Sequence, residues 1–419
     1  MRIPVLSAFL CATAISAAAR PVIEWGKASQ WKYWTGDKAA PDGWQRAEFD
    51  DKTWSTGASP LGFDEERLNT KVQASDKGGP PAVALFRKSF TLPKLDSGAR
   101  IVVSLCADDG AVIYLNGREL KRFNLPAGEL KPDTRATRQL SDSEEGYYLR
   151  WAVPAEFLKA DAANVIAVEV LQAGTDSSDL FFDLALRTIT PRGENPKLTD
   201  ATQKVINAYY KDQFVPPGLT IPDGYLDGGR GMHFDDKGRA VSSREIIVVD
   251  RAQDEEMQKH ITFARDADLK KLAPRERAVS LAKYVDRIAT PPGGVRWTEP
   301  ANTELTQEFT NQPVLMGEIL EQCQSGVCRH RALLFKILAD EAGLKTALRR
   351  GNLRNRDYAA GYPHAWNEVH LDDSTRLLVD TSYRAGKWDF PDVNTPFVVE
   401  EYRKLDNSAL YGKDAAPVK

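Results

Sequence analysis

The sequence has no long apolar run, no excess of charge of one sign and few cysteines. Beyond the N-terminus no stretch reaches about 18 uninterrupted apolar residues, so no membrane span is expected. Lys and Arg number 56 against 59 Asp and Glu, a net charge of −3. A chain with such mixed charge carries no basic field to collect phosphates, so a nucleic acid partner is not expected.

Four cysteines are present, and the first lies in the N-terminal stretch MRIPVLSAFLCATAISAAARP. This stretch has an early Arg, a short apolar run and the small residues Ala17-Ala18-Ala19 at its end. These features predict a cleavable signal peptide over residues 1–19. We therefore expect a secreted or periplasmic protein. Without Cys11, three thiols remain: Cys106, Cys323 and Cys328. Three cannot all pair within one chain, so at least one is expected to be free.

A chain of 419 residues predicts more than one domain. Residues 24–190 are a succession of short β-type runs separated by Gly, Asp, Asn and Pro, which predicts an all-β antiparallel sandwich. Asn116-Gly117 predicts a tight hairpin turn. Cys106, in the apolar run IVVSLCAD, is expected to be a buried small hydrophobe.

Two segments of this half, WQRAEFDDKTWSTGASPLGF and DDGAVIYLNGREL, resemble galactose-binding-like jelly-roll modules. The resemblance implies either carbohydrate binding or a role beside an attached catalytic domain. Asp108-Asp109 before a glycine fits turn chemistry better than a calcium site. Four tryptophans are expected in the core, with a sugar-stacking platform as the alternative. These are Trp31, Trp34, Trp44 and Trp54.

The polar stretch PRGENPKLTD, residues 191–200, is predicted to be a linker. In residues 201–412, PPGLTIPDGYLDGGRGMHFDDKGR is expected to be a long loop region, EIIVVDR a strand and APRERAVSLAKYVDRIAT a helix. A further helix within GVCRHRALLFKILADEAGL precedes two expected strands, HAWNEVHL and RLLVDTSY. Helices followed by strands predict an α+β domain.

The thiol of Cys328 has an unusual position for a cysteine. Ser325-Gly326-Val327 ends a loop, and the apolar spacing that follows predicts a helix from Cys328 that stops at Gly343. In the first turn of a helix, unpaired backbone N–H groups and the helix dipole favour the thiolate. The sequence therefore predicts an activated sulfur there.

A thiolate nucleophile needs a histidine and an orienting carboxylate from elsewhere in the fold. His330 lies two residues along the helix and would face nearly the opposite way. His364 is the better candidate, on one strand face with Trp366 and Glu368. Asp380, at the end of RLLVD, would lie on the neighbouring strand of a hairpin.

This order and spacing, with Cys at a helix start, His in an HAW context and Asp on the next strand, resembles the transglutaminase-like superfamily. Over residues 200–390, PVLMGEIL, GVCRHRALLFKILADEAGL and PHAWNEV resemble the peptidase-like domain of plant enhanced-disease-resistance and constitutive-triple-response proteins. The resemblance implies a papain-like α+β fold. It also implies that Cys328 is the nucleophile, His364 the general base and acid, and Asp380 the orienting carboxylate.

The expected function is an exported thiol-dependent amide or peptide hydrolase that works through an acyl-enzyme and needs no cofactor. Peptide or protein substrates are expected, cell-envelope peptides among them. One alternative is a catalytically silent module that binds peptide or glycan, in which Cys328 and His364 are core residues. The other is an acyl transferase that cross-links proteins, because water and amines compete for the same intermediate.

An oxyanion donor is also required. The first candidate is the backbone N–H of Cys328, and the side-chain candidates are Gln322 and Gln324. Asp372 and Asp373 are alternatives to Asp380, although their place beside DDST favours a turn.

The remaining Cys, His and Arg residues suggest further roles. No compact second pair follows the C-x4-C of Cys323 and Cys328, and His364 and His370 would lie about 20 Å apart on an extended strand. No metal is therefore expected. Cys323 is expected to pack under the loop, with a Cys323–Cys328 redox gate as the alternative. The flanking arginines of Cys328, Arg329 and Arg331, are expected to be solvated or salt-bridged, with a part in holding the thiolate as the alternative.

Overall fold

The computed structural model describes residues 22–24, 29–36, 40–75, 78–95, 98–131, 133–140, 149–174, 177–191, 195–290, 309–323, 326–354, 359–372 and 374–412. The predicted signal peptide lies outside the described residues. Gln324 and Asp373 also lie outside them, and of Gln322 and Cys323 only the backbone is described. No helix within these ranges is long and apolar enough to cross a membrane.

In the described part of residues 22–191, strands form two sheets with the orders β2-β1-β5-β10-β7-β8 and β4-β3-β11-β6-β9. One short 3-10 helix, Ala155–Phe157, precedes β10. The strands are β1 Gln30–Gly36, β2 Ser55–Ala58, β3 Leu61–Phe63, β4 Thr70–Lys71, β5 Val83–Thr91, β6 Arg100–Asp108, β7 Gly110–Leu115, β8 Arg118–Phe123, β9 Leu149–Val153, β10 Ala163–Leu171 and β11 Leu180–Ile189.

These two sheets face each other across one apolar core, so the first half is a β-sandwich, as the spacing of its short runs predicted. Phe86 on β5 stacks on Phe182 on β11 with ring centroids 3.9 Å apart, and Trp31 on β1 meets Phe182 edge-on. Asn116 and Gly117 both have positive φ, 53° and 83°, in the predicted tight turn between β7 and β8.

The tryptophans of the sandwich serve mainly as core residues. Trp31, Trp44 and Trp54 are 0%, 5% and 7% exposed, which leaves no stacking platform at these three positions. Trp34 is half-buried and packs against the Trp44 and Trp54 cluster. The interpretation of these side chains as core residues is therefore the correct one for the three buried tryptophans.

Two further expectations concern Cys106 and the Asp108-Asp109 pair. Cys106 is buried in β6, as predicted, and burial raises the pKa of its thiol well above the ordinary value.

The carboxylate of Asp109 accepts hydrogen bonds from the backbone N–H groups of Leu140, at 2.9 Å, and Ala173, at 2.8 Å. Asp109 therefore organises loops, which agrees with the preference for turn chemistry over calcium.

Residues 195–412 combine helices with three small sheets. The sheet orders are β12-β18-β19-β20 with β21 beside β18, β13-β16-β17, and β14-β15. The described helices are α1 Asp200–Tyr210, α2 Glu255–Ala264, α3 Ala267–Lys271, α4 Pro274–Ile288, α5 Met316–Cys323, α6 Cys328–Glu341 and α7 Pro396–Glu401. The described strands are β12 Phe214–Val215, β13 Tyr225–Asp227, β14 His233–Phe234, β15 Ala240–Val241, β16 Ile246–Val249, β17 Pro313–Leu315, β18 Thr346–Leu353, β19 Tyr362–His370, β20 Arg376–Val379 and β21 Tyr402–Arg403.

The central feature of this half is α6, which packs on the antiparallel strands β18 and β19. All its residues from Arg329 to Ala339 are buried, since α2 and α4 cover its other sides. The amide of Asn367 on β19 donates to the carbonyl of Ala332 on α6 at 3.0 Å and fixes the helix on the sheet. The helix ends as predicted, with Gly343 at φ 78°.

The stretch expected to be a long loop, PPGLTIPDGYLDGGRGMHFDDKGR, contains β13 and β14 instead. Its Tyr225 and Leu226 are fully buried. The physical reason is the neighbouring strand β16, whose four apolar residues are buried on both faces. Buried backbone groups must be hydrogen-bonded, so β16 requires a partner on each side, and β13 and β17 supply them.

The sandwich and the second half share part of one core. Val102 of β6 and Ile189 of β11 lie in the same apolar cluster as α5 and α6. The backbone N–H of Thr190 donates to Glu318 Oε1 on α5 at 2.5 Å. The side chains on either side of the predicted linker are thus in direct contact.

Candidate active site

Cys328 is the first residue of α6, as the sequence predicted. Val327 before it is extended, with φ −73° and ψ 177°, and no side chain caps the helix. The N–H of a first helical residue has no partner within the helix. The sulfur itself is a free, half-buried thiol. Cys328 thus forms no disulfide in this structure, while the packing expected for Cys323 lies outside the described side chains.

His364 and Asp380 come together through the hairpin of β19 and β20. His364 lies on β19 opposite Gly351 of β18, and Asp380 directly follows β20. The Nε2 of His364 donates to Asp380 Oδ2 at 2.6 Å, and both side chains are buried. Tyr402 on β21 donates its hydroxyl to the same Oδ2 at 2.8 Å. The predicted histidine and carboxylate are thus in contact.

The other ring nitrogen of His364, Nδ1, is buried and makes no aligned hydrogen bond within the described chain. Its ring interacts with Cys328 as well as with Asp380. Because Nε2 is taken by Asp380, Nδ1 is the nitrogen available to the sulfur. Loose alignment of this kind is usual in sites without substrate.

The charges of these three groups depend on one another. Burial alone would raise the pKa of the Cys328 thiol, but the His364 ring and the N–H of Ala365 bring it below its ordinary value. Burial alone would lower the pKa of His364, but the carboxylate of Asp380, aided by Cys328, raises it to about 10. Near neutral pH these shifts favour a thiolate beside an imidazolium.

A second network supports the histidine from behind. The ring of Trp366 stacks on His364 with centroids 6.0 Å apart and 19° between planes. The indole Nε1 donates to Tyr411 Oη at 2.9 Å, and that hydroxyl donates to Glu368 Oε1 at 2.7 Å. Arg349 donates to the same Oε1 at 2.6 Å. The face of His364, Trp366 and Glu368 expected from strand alternation is thus fixed by hydrogen bonds.

Cys328 and His364 line a cavity of about 90 Å³ that also contains Asp227, Arg230 and Arg350. A cavity of this volume has room for a small part of a substrate beside the sulfur. A larger groove of about 620 Å³ follows α1, but none of its described lining residues is a cysteine or a histidine. The small cavity is therefore the candidate active site.

The charged neighbours of Cys328 are buried and ion-paired. Arg329 pairs with Glu245, and Arg331 with Asp286 at 3.0 Å. Of the roles expected for these arginines, the salt-bridged one is observed, because Glu245 and Asp286 on α4 lie against this part of α6. His330 lies 3.2 Å from Glu245 and not beside Cys328, which agrees with its predicted direction.

Of the two alternatives for the carboxylate, Asp372 lies within the described residues and Asp373 outside them. Asp372 Oδ1 accepts from the backbone N–H groups of Ser374, at 2.8 Å, and Thr375, at 2.6 Å, so this aspartate forms the hairpin turn. His370 contacts Glu368 and lies away from His364. Among the residues whose side chains are described, no group of three His, Cys, Asp or Glu could hold a metal ion.

Two residues of the site were missed by sequence reasoning. Tyr402 lies in EEYRKLDN, a segment without a recognisable motif, and its contact with Asp380 depends on β21 pairing with β18. Arg350 had a signal that was not used: two arginines interrupt the buried strand TALRRGNL. A charged residue in a buried strand needs a partner or a function.

Comparison with known proteins bears on the second half of the chain. Residues 233–388 match the family model described as EDR1/CTR1/ARMC3, peptidase-like. The predicted resemblance is confirmed for this part, which contains Cys328, His364 and Asp380. The match covers less than half of the chain. No curated protein matches the sequence.

Similar solved structures come from glycoside hydrolases. β-Glucuronidase 2 of Bacteroides uniformis is 19% identical over 44% of this chain and 19% of that chain, with a TM-score of 0.27. A glycosyl hydrolase family 2 member from Bacteroides cellulosilyticus is 16% identical over 41% of this chain and 21% of that chain, with a TM-score of 0.27. A β-glycosidase from Bacteroides vulgatus is 18% identical over 40% and 20%, with a TM-score of 0.26. At these scores the likeness supports no conclusion about fold or function.

Proposed function

We propose that this protein is a thiol-dependent amide hydrolase that acts on peptides. Cys328 is the nucleophile, His364 the general acid and base, and Asp380 the carboxylate that orients the imidazole. The observation that carries the proposal is the hydrogen bond between His364 and Asp380 at the wall of a cavity that Cys328 also lines, where, despite burial, the His364 ring lowers the pKa of the Cys328 thiol. The similarity of residues 233–388 to a peptidase-like family supports it.

In the first half of the proposed reaction the thiolate attacks the carbonyl carbon of the amide. A C–S bond forms, and the carbonyl electron pair moves to oxygen, where the backbone N–H of Cys328 stabilises the negative charge. The imidazolium of His364 then donates its Nδ1 proton to the amide nitrogen. The C–N bond breaks, the amine leaves, and a thioester remains on Cys328.

In the second half, neutral His364 takes a proton from a water molecule, which attacks the thioester carbon. The C–S bond breaks, the acid is released, and the thiolate and imidazolium form again. Throughout, Asp380 keeps Nε2 protonated through its 2.6 Å hydrogen bond, so that Nδ1 always faces the reacting atoms.

Export and an envelope substrate belong to the same proposal. They rest on the predicted signal peptide of residues 1–19. For the sandwich we propose a supporting role beside the second half, because Val102 and Ile189 contribute to the core under α5 and α6. A galactose-binding-like fold and carbohydrate binding there stay predictions.

The test of the site is alkylation of Cys328 by iodoacetamide, followed by mass spectrometry. We expect rapid labelling of Cys328 at pH 7 and a rate at least about tenfold lower in His364→Ala, since the imidazolium that holds the thiolate is lost. The matched control is His370→Ala on the same strand, which should label like wild type. A rate like that of free cysteine in both wild type and His364→Ala would support the silent binding module instead.

Turnover is tested with a panel of peptides and peptidoglycan fragments, comparing wild type with Cys328→Ser. Cleavage by wild type alone is the expected result. An added primary amine separates hydrolysis from acyl transfer, because an amide product would form in place of the free acid. If no substrate is cleaved although the thiol is activated normally, the function is either binding or the hydrolysis of another acyl compound.

A further inference from the structure

Arg350 is a buried cation in the cavity of Cys328. It is 8% exposed, and its guanidinium lies over the rings of Tyr210, at 4.5 Å, and Tyr209, at 5.6 Å. Within the described residues no carboxylate lies within ion-pair distance of it. Its neighbour in sequence, Arg349, points to the other face of β18 and pairs with Glu368. Within the described part of the chain, Arg349 thus has a carboxylate partner and Arg350 does not.

A second guanidinium lies close by at the rim of the cavity. Arg230 donates to Asn352 Oδ1 at 2.8 Å, and no described carboxylate pairs with it. Its pKa is lowered, first by partial burial and then by the charge of Arg350, while the Cys328 sulfur opposes this shift. Arg230, Arg350 and the Cys328 sulfur line the same cavity, and their charges interact.

The acidic residue in the cavity wall is not an ion-pair partner of these two cations within the described residues. Asp227 is the acidic member of a described lining that also holds four arginines. Its Oδ1 accepts from Tyr210 Oη at 2.9 Å and from the N–H of Gly229 at 2.7 Å, and lies 3.6 Å from Arg329. Among the described residues the cation within ion-pair distance of Asp227 is Arg329, which also pairs with Glu245, and Asp227 forms no ion pair with Arg230 or Arg350.

We propose that Arg350, helped by Arg230, binds a carboxylate of the substrate beside the scissile amide. An unpaired guanidinium is costly to bury, and a carboxylate is the ligand whose two oxygens match its donors. The substrate class is therefore peptides that carry an acidic group next to the bond that is cleaved. This inference rests on the proposed hydrolase function.

The experiment compares two reagents of nearly equal size, iodoacetate and iodoacetamide. In both, the thiolate displaces iodide: a C–S bond forms, and the C–I bond breaks with its electron pair leaving on iodide. The reagents differ in having a carboxylate or an amide. The ratio of their rates at Cys328 therefore measures how strongly the cavity attracts a carboxylate, apart from how reactive the thiol is.

We expect the iodoacetate to iodoacetamide ratio in wild type to exceed that of free cysteine. It should fall about tenfold in Arg350→Met and be largely kept in Arg350→Lys, which retains the charge. The matched control is Arg287→Met, because Arg287 also lies over a tyrosine ring, Tyr284 at 5.0 Å, but outside the cavity. If Arg350→Met does not fold, Arg230→Gln at the rim should still lower the ratio.

The possible failures are distinguishable. Fast iodoacetamide labelling with a ratio that Arg350→Met and Arg230→Gln leave unchanged would overturn the carboxylate site and keep the hydrolase proposal. Equal slowing of both reagents in Arg350→Met would overturn it too, because Arg350 would then act on the thiolate. Free-cysteine rates with both reagents in wild type would overturn the hydrolase proposal itself.

A protection experiment distinguishes the source of the carboxylate. N-acetylglutamine has only a main-chain carboxylate, and its isomer N-acetylglutamic acid α-amide has only a side-chain carboxylate. At least one should slow the labelling of Cys328 by iodoacetamide in wild type and not in Arg350→Met, and the one that does so identifies the source. The neutral diamide, N-acetylglutamine amide, is the control. Equal protection by all three would contradict the proposal.

Discussion

Asp380 is the fixed point of the candidate active site. Its Oδ1 accepts from the backbone N–H groups of Ser382, at 2.9 Å, and Tyr383, at 3.1 Å, while its Oδ2 accepts from His364 and Tyr402. Burial would raise the pKa of this carboxyl, but His364 and these hydrogen bonds hold it below its ordinary value. The aspartate is therefore charged and immobile, and it can determine the state of the imidazole.

Replacement of this charge in Asp380→Asn is expected to raise the pH at which Cys328 becomes reactive. Without the carboxylate, burial lowers the pKa of His364 and only Cys328 opposes this, so the imidazole is charged to a smaller extent at pH 7 and holds the thiolate less strongly. The midpoint of the pH profile for iodoacetamide labelling should move up toward about 8.5, the ordinary thiol value, or above it. The rate at pH 7 should fall at least about tenfold.

The control for this prediction is Asp372→Asn, which alters a carboxylate of the same hairpin that serves only the turn. It should leave the pH profile unchanged. An unaltered midpoint in Asp380→Asn would mean that the helix start alone activates the sulfur.

Among single residues, the sequence predicted those that a local pattern marks, such as a helix start or the alternation of a strand. Cys328 was marked by the helix start and His364 by strand alternation, and both positions are as expected. Arg350 and Tyr402 were not predicted, because their roles come from contacts between segments far apart in sequence. Tyr402 reaches Asp380 only after β21 has paired with β18.

Among the elements, the pairing of β18 with its neighbours decides where the histidine and its supports lie. Gly351 on β18 is opposite His364 of β19 on one side. On the other side, β21 pairs with β18. A Cβ atom at Gly351 would lie 2.1 Å from the carbonyl oxygen of Arg403 and 2.7 Å from the ring of Trp366. Only glycine permits this approach.

Gly351→Ala is therefore expected to separate β21 from β18. We expect a loss of about 2 kcal/mol in the free energy of unfolding, measured by urea denaturation, as for other overpacked sites. Labelling of Cys328 should also slow, because Tyr402 is carried on β21 and would move from Asp380.

The control substitution is Gly231→Ala, where the nearest atom to an added Cβ is 3.9 Å away. It should change neither the stability nor the labelling rate. A stable Gly351→Ala with normal labelling would show that β21 can shift without affecting the site.

Element predictions succeeded where the apolar period was strong and failed where burial depended on other segments. The helix expected within APRERAVSLAKYVDRIAT is α4, and the strand expected in EIIVVDR is β16. The strands β13 and β14 were missed in a stretch rich in Gly and Pro. They are only three and two residues long, too short for a period, and β13 exists because β16 needs a partner.

At the scale of the whole molecule, the two halves share apolar contacts across the predicted linker. Ile189 ends the last strand of the sandwich, yet its side chain belongs to the core of the second half. The domain boundaries expected from the sequence, 24–190 and 201–412, follow the change from short β-type runs to a mixture of helical and strand patterns. Composition could not reveal that residues of the first half complete the second core.

Ile189→Ala should consequently weaken the half that contains Cys328. We expect a loss of about 3 kcal/mol, as for other large-to-small core changes. The measurement is the urea concentration at which Cys328 loses its rapid labelling, and this midpoint should fall.

The matched control is Ile166→Ala, which removes the same atoms from the core of the sandwich alone. It should lower the Cys328 midpoint less than Ile189→Ala does. Equal falls would indicate that the whole chain unfolds as one unit, with no special part for Ile189.

The stacking of Trp366 on His364 gives the protein an optical signal of its own. An excited indole passes an electron to a nearby protonated imidazole far more readily than to a neutral one, which quenches its emission. The fluorescence difference between wild type and Trp366→Phe should therefore follow the protonation of His364 as pH is changed. The charge state of the histidine can thus be recorded by light alone, with no reagent on the sulfur.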